Sequence, residues 1–77
     1  MKECLTEREK KVLFHLAQGL TNIEISKKLR ISTHTVKAHL ESIYYKLSVS
    51  NRVQATVKAL ELKIIDIKRA LNNVGTI

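Results

Sequence analysis

The sequence predicts an all-α domain of four helices, a three-helix core followed by a C-terminal helix. Three observations carry this. Hydrophobic residues make up 44% of the chain, with no Pro, no Trp and only two Gly, so helix formers abound and little is left to punctuate a sheet. Four Ser/Thr capping signals are each followed by apolar residues at helical spacing. At 77 residues there is room for one compact domain with a small core.

The first helix is announced by Thr6 with Glu9 three residues on, a capping box, after which Val12, Leu13, Leu16 and Ala17 recur on one face. It is expected over about Glu7 to Gln18. Gly19 then falls where a left-handed residue ends a helix, because a residue without Cβ takes that conformation at little cost. Thr21 and Glu24 form a second capping box for a short helix that carries Ile25 and Leu29 and ends near Arg30. Ser32 is the next N-cap, and Val36, Leu40, Ile43 and Leu47 follow at i, i+4, i+7 and i+11, so the third helix spans about 33–47. Ser50 is expected to cap a fourth helix from about Asn51 to Ile64, whose apolar residues occupy more than one stripe. From Asp66 onward the composition turns mixed, which suggests a domain over 1–66 and a tail over 67–77.

Net charge is +7 and the pI about 9.9, a surplus that favours a polyanionic partner through counterion release. Nucleic acid comes first and an anionic membrane surface second. The apolar positions are divided among four capped helices, which argues against one long interfacial helix, so no membrane partner is expected. Cys4 is the single cysteine and can form neither an internal disulfide nor a cysteine metal cluster, which fits a reducing cytoplasm. No secretory signal or membrane-length apolar run is present, so a soluble cytoplasmic protein is expected.

Two short helices joined by about three residues, Arg30 to Ser32, and then a longer helix give the helix-turn-helix order. Short connections occur in any small bundle, but the residues say more. Leu5-Thr6-x-Arg8-Glu9, Val12-Leu13, Ala17-x-Gly19 and Asn22-x-Glu24-Ile25-Ser26 open the pattern. Ile31-Ser32, Thr35-Val36-Lys37-x-His39, Ile43, Lys46-Leu47-x-Val49, Arg52 and Ala55 complete it. From about Leu5 to Ile65 the chain thereby resembles the DNA-binding output domain of LuxR/NarL (FixJ)-type bacterial transcription factors. The resemblance implies a third helix that enters the major groove of duplex DNA and a fourth that pairs with its twin in a homodimer on an inverted repeat. It also implies a receiver or small-ligand domain outside this chain, with RNA polymerase as a further partner of the class. Whether the chain stands alone or belongs to a longer regulator is left open.

With 36, 40, 43 and 47 turned inward, Thr33, Lys37, Ala38, Glu41 and Tyr45 take the opposite face of the third helix. Lys37 suits a guanine O6/N7 edge or a phosphate, and Ala38 offers a methyl to thymine. Glu41 departs from the basic or small polar residues that relatives carry there. Its carboxylate repels phosphate but can accept from cytosine N4; the alternatives are pairing with Lys37 or Tyr45 at i±4, or plain solvation. Asn22, Thr33, Thr35, Tyr45, Lys46 and Arg52 are the expected phosphate contacts, helped by the free N–H groups at helix starts. His39 is expected half-buried and Tyr44 at the rim of the core. Phe14 and His15 invert the polar-then-apolar order of relatives, so an exposed Phe14 would be a contact for a partner domain or a tolerated surface aromatic.

His15, His34 and His39 lack ligand-type neighbours, and no Ser-His-Asp set, paired carboxylates or glycine-rich phosphate loop is recognisable. No metal, cofactor or enzymatic activity is expected. On the fourth helix Val53, Val57, Leu60 and Ile64 are expected to face the core, leaving Thr56, Ala59 and Lys63 as a small-residue face for dimerisation. Two other functions fit the residues: a protein-interaction module that docks an acidic partner, and a monomeric promoter reader of the sigma-factor type.

Overall fold

The computed structural model describes residues 5–62. They form four helices: α1 (Glu7–Ala17), α2 (Asn22–Leu29), α3 (Thr33–Leu47) and α4 (Arg52–Glu61). No strand occurs among the described residues, so the all-α, four-helix expectation holds. The expected boundary at 66, the tail over 67–77, Ile64 and Lys63 lie outside the described residues.

Each helix starts where its cap can satisfy the first free N–H groups. Thr6 Oγ1 accepts from the Glu9 backbone N–H at 3.0 Å while Glu9 Oε1 accepts from that of Thr6 at 2.9 Å. The same reciprocal pair joins Thr21 and Glu24. Ser32 Oγ accepts from the Thr35 N–H at 3.0 Å and opens α3. At α4 the cap is Asn51, not Ser50. The Asn51 carboxamide oxygen reaches the Gln54 N–H at 2.9 Å, and the Ser50 N–H instead donates to Gln54 Oε1 at 2.7 Å. The helix is described to Glu61, with Leu62 as its C-cap, and the expected run to Ile64 lies outside the described residues.

The C-terminal ends of the first three helices fall where expected, within a residue. α1 closes on Gly19 at φ 95°, with Gly19 N–H donating to Leu16 O and Leu20 N–H to His15 O, the paired bonds of a Schellman ending. α3 closes the same way without glycine, with Ser48 N–H donating to Tyr45 O, and α2 closes with Arg30 N–H on Ser26 O. Arg30 and Ser48 both sit at φ 58°, where Cβ crowding costs about 1 kcal/mol. The bonds Ile31 N–H to Ser26 O and Val49 N–H to Tyr44 O offset that cost.

The core holds Val12, Leu13 and Leu16 of α1, Ile25 of α2, Val36, Leu40, Ile43 and Leu47 of α3, and Ala55 and Ala59 of α4, together with Leu5. Helix α1 lies against both α3 and α4, and α2 packs chiefly on α3. The inward stripe expected for α3 is thus the observed one.

On α4 the expectation is overturned. Ala59 and Ala55 are wholly buried, whereas Val53 is 71% exposed and Val57 49%. Thr56 is half-buried, with its hydroxyl donating to the Arg52 carbonyl at 3.0 Å. The accessible small-residue face assigned to Thr56 and Ala59 is therefore the packed side. The small Ala55 and Ala59 fill the seam of the core while Val53 and Val57 turn out to solvent, and of the expected stripe Leu60 alone among the described residues packs, half-buried, against the core.

Candidate nucleic-acid interface

Helix α3 is fixed through its inner stripe, and the residues about 180° away are presented outward. Thr33, His34, Lys37, Ala38, Glu41 and Tyr45 are all exposed, Tyr45 to 64%. Their spacing, 34, 37, 38, 41 and 45, is one face of a 3.6-residue helix. The three residues Arg30, Ile31 and Ser32 join α2 to α3, and Lys27, Lys28 and Arg30 at the end of α2 are exposed.

Within the face, Glu41 pairs with none of the described residues, so of the alternatives for it the i±4 pairing with Lys37 or Tyr45 does not form. Geometry explains this. Lys37 is N-terminal to Glu41, the less favourable order for such a pair on a helix. At the start of α3, Ser32 Oγ lies 2.9 Å from Thr35 Oγ1. No acidic side chain occupies the first turn, so the partial positive charge of the helix N-terminus is left for an outside anion. Thr33 is exposed and Thr35 half-buried at that end.

Three residues expected to grip phosphate have other occupations. Arg52 donates through Nη1 to the Leu20 carbonyl at 3.0 Å and through Nη2 to Asn22 Oδ1 at 2.8 Å. Arg52 and Asn22 thus hold each other and tie the start of α4 to the α1–α2 turn. Lys46 turns inward, with its side chain 13% exposed and its ammonium 2.8 Å from Glu9 Oε1.

The Glu9 site is absent from the sequence reading beyond the capping box. Its carboxylate is 5% exposed as a residue and serves three donors: the Thr6 N–H and Lys46 Nζ on Oε1, and Ser42 Oγ at 2.7 Å on Oε2. Burial alone would push its pKa up. The bonds from Lys46, Ser42 and the Thr6 backbone, with the charge of Lys46, outweigh burial and hold the pKa at about 2 against an ordinary 4.5. The only sequence signal was that Ser42 and Lys46 are four apart beside the inner stripe.

Tyr44 and Phe14 are half-buried against the core, and the Phe14 ring meets His15 edge-on at 5.5 Å. His39 is half-buried. Among the described residues no group of His, Cys, Asp or Glu is arranged to hold a metal ion, and no helix is long and apolar enough to cross a membrane. Exposed Ile23, at 58%, was not anticipated.

Residues 3–59 match the sequence profile described as bacterial regulatory proteins, luxR family. The chain belongs to this family. It is 51% identical over 57 residues to the nitrate/nitrite response regulator protein NarP of Escherichia coli (strain K12), covering 74% of this chain and 26% of NarP. It is 49% identical over 57 residues to the transcriptional regulatory protein LiaR of Bacillus subtilis (strain 168), covering 74% of this chain and 27% of LiaR. Among solved structures it resembles the response regulator ChrA of a heme-sensing two-component system, with a TM-score of 0.78 and 43% identity over 84% of this chain and 32% of that one. The chain therefore spans about a quarter to a third of the length of these luxR-family relatives.

Proposed function

We propose that this luxR-family chain is a sequence-specific duplex-DNA-binding domain of a bacterial transcription regulator, with α3 in the major groove. The observation that carries the reading is the outward face of α3, where Lys37, Ala38 and Glu41 stand exposed opposite a fully buried stripe. Helices of this diameter enter a major groove, and a net charge of +7 supplies the sequence-independent attraction. Lys37 and Ala38 are the base-contact candidates, with Glu41 beside them as a reader of cytosine N4. Thr33, Thr35 and Tyr45 remain the phosphate-contact candidates. Asn22, Lys46 and Arg52, whose side chains bond within the protein, are read as holding the fold rather than the backbone of DNA.

The domain extends over about 1–66 with 67–77 as a tail, and it acts as a homodimer on an inverted repeat. Val53 and Val57, adjacent on one face of α4 and exposed, support that dimer in place of Thr56 and Ala59. Such a small apolar strip gives weak association in free solution and becomes populated when two half-sites hold the copies together. A receiver or ligand-binding domain outside this chain, as response-regulator relatives suggest, would supply the control, and RNA polymerase is the onward partner.

Selection of bound sites from random duplex DNA, followed by a salt titration on the selected site, tests the reading. With about six phosphates neutralised, log K falls against log salt with a slope of about −5. Lys37→Ala weakens specific binding by roughly 1–3 kcal/mol, and Glu41→Ala relaxes the preference at one base position without loss of affinity. A flat salt response, or no enriched sequence, would remove the proposal.

A further inference from the structure

The inner side of α3 is packed by Val36, Leu40, Ile43 and Leu47, and apolar contact is non-directional. Such packing fixes how near α3 lies to α1 more tightly than how far it is turned about its own axis. A turn of about 20° moves a side-chain tip about 10 Å from the axis by about 3 Å, enough to break a base contact. Hydrogen bonds are directional, and Glu9 supplies them at one point. Its Oε2 takes the Ser42 hydroxyl at 2.7 Å and its Oε1 the Lys46 ammonium at 2.8 Å, residues one helical turn apart on α3. Ser42 and Lys46 immediately follow Glu41 and Tyr45, so holding the first pair aims the second. The carboxylate is itself anchored, because Oε1 also accepts from the Thr6 N–H at the start of α1.

We infer that Glu9 is a positioning residue for base recognition: through Ser42 and Lys46 it sets the rotation of α3, and with it the aim of the DNA-facing side chains. This rests on the DNA-binding reading above. It assigns sequence discrimination to a group that touches no base. A group held by directional bonds within a fraction of an ångström is what a recognition surface needs, whereas non-specific attraction to phosphate tolerates a turned helix.

The test compares the full chain with Ser42→Ala, Glu9→Gln and Val12→Ala. Ser42→Ala removes one grip while favouring the helix and leaving the buried ion pair. Glu9→Gln keeps an acceptor for Thr6 and removes the charge. Val12→Ala destabilises the core without touching the carboxylate. Affinity is measured for the selected site and for unrelated duplex, at a temperature where circular dichroism shows every variant compared to be folded.

The expected result is a specific-over-non-specific ratio lower by about 5–10-fold for Ser42→Ala and at least as much for Glu9→Gln, with non-specific affinity and salt slope retained. Val12→Ala should keep the ratio. Should Glu9→Gln not fold, Ser42→Ala against Val12→Ala decides. An unchanged ratio in Ser42→Ala, or an equal fall in Val12→Ala, would overturn the inference and leave the DNA-binding reading standing. Failure of the unaltered chain to enrich any site would instead strike the underlying reading.

Discussion

Replacing Lys46 with Met keeps the length of the side chain and removes the ammonium from Glu9. The two side chains are 13% and 6% exposed, so solvent screens the pair little, and breaking such a pair leaves a buried charge. The linkage between pKa and stability gives the scale. Glu9 titrates at about 2 when folded against 4.5 ordinarily, so its ionised form contributes about 3 kcal/mol at pH 7. Because folding lowers the pKa, that contribution is complete above 4.5 and disappears as pH falls towards 2. At pH 3 about 1 kcal/mol remains.

Lys46 is one of three donors, so Lys46→Met should lose about 2–3 kcal/mol at pH 7 out of roughly 4–12 for a chain of this length. With its main partner gone, the Glu9 pKa rises, and the variant no longer loses this contribution on acidification. Urea unfolding followed by helical circular dichroism at pH 7 and pH 3 measures both. The gap between the two proteins should narrow by about 2 kcal/mol, with the other carboxylates cancelling in the difference. A gap below about 0.5 kcal/mol at pH 7, or one of equal size at both pH values, would refute the reasoning.

The exchange of faces on α4 makes Ala59→Arg unfold the domain, since a wholly buried alanine leaves no room for a charged side chain, and loss of helical circular dichroism reports it. Val57→Arg should instead keep the fold and abolish cooperative occupancy of a second half-site in gel-shift titrations. Arg52→Ala removes bonds to Leu20 and Asn22 and should cost about 2 kcal/mol in urea unfolding. Its salt slope on DNA should stay as it was, whereas loss of a phosphate contact would reduce the slope by about 1. At Gly19 an added Cβ meets nothing within 4 Å, so Gly19→Ala is opposed by the φ of 95° alone. It should lower stability by about 1 kcal/mol, a fall of about 4–8 °C in Tm.

The sequence by itself determined the helices and the inner stripe of α3, because both are local. A Thr-x-x-Glu box names its own partners, and a 3.6-residue period declares one face wherever a helix has a single apolar stripe, as at Val36, Leu40, Ile43 and Leu47. The outward face of α3 followed from that stripe as the side opposite to it. Tertiary structure decided everything that needed a second element. Two stripes of equal period ran along α4, and hydrophobicity favoured Val53 and Val57. Packing of α4 on the core put Ala55 and Ala59 in the seam, because packing rewards fit rather than apolarity. Lys46, Arg52 and Asn22 read as surface groups until neighbours 37, 32 and 30 residues away in sequence took their donors and acceptors. A polar side chain is assigned by what lies within 3 Å of it, and only the folded chain sets that distance.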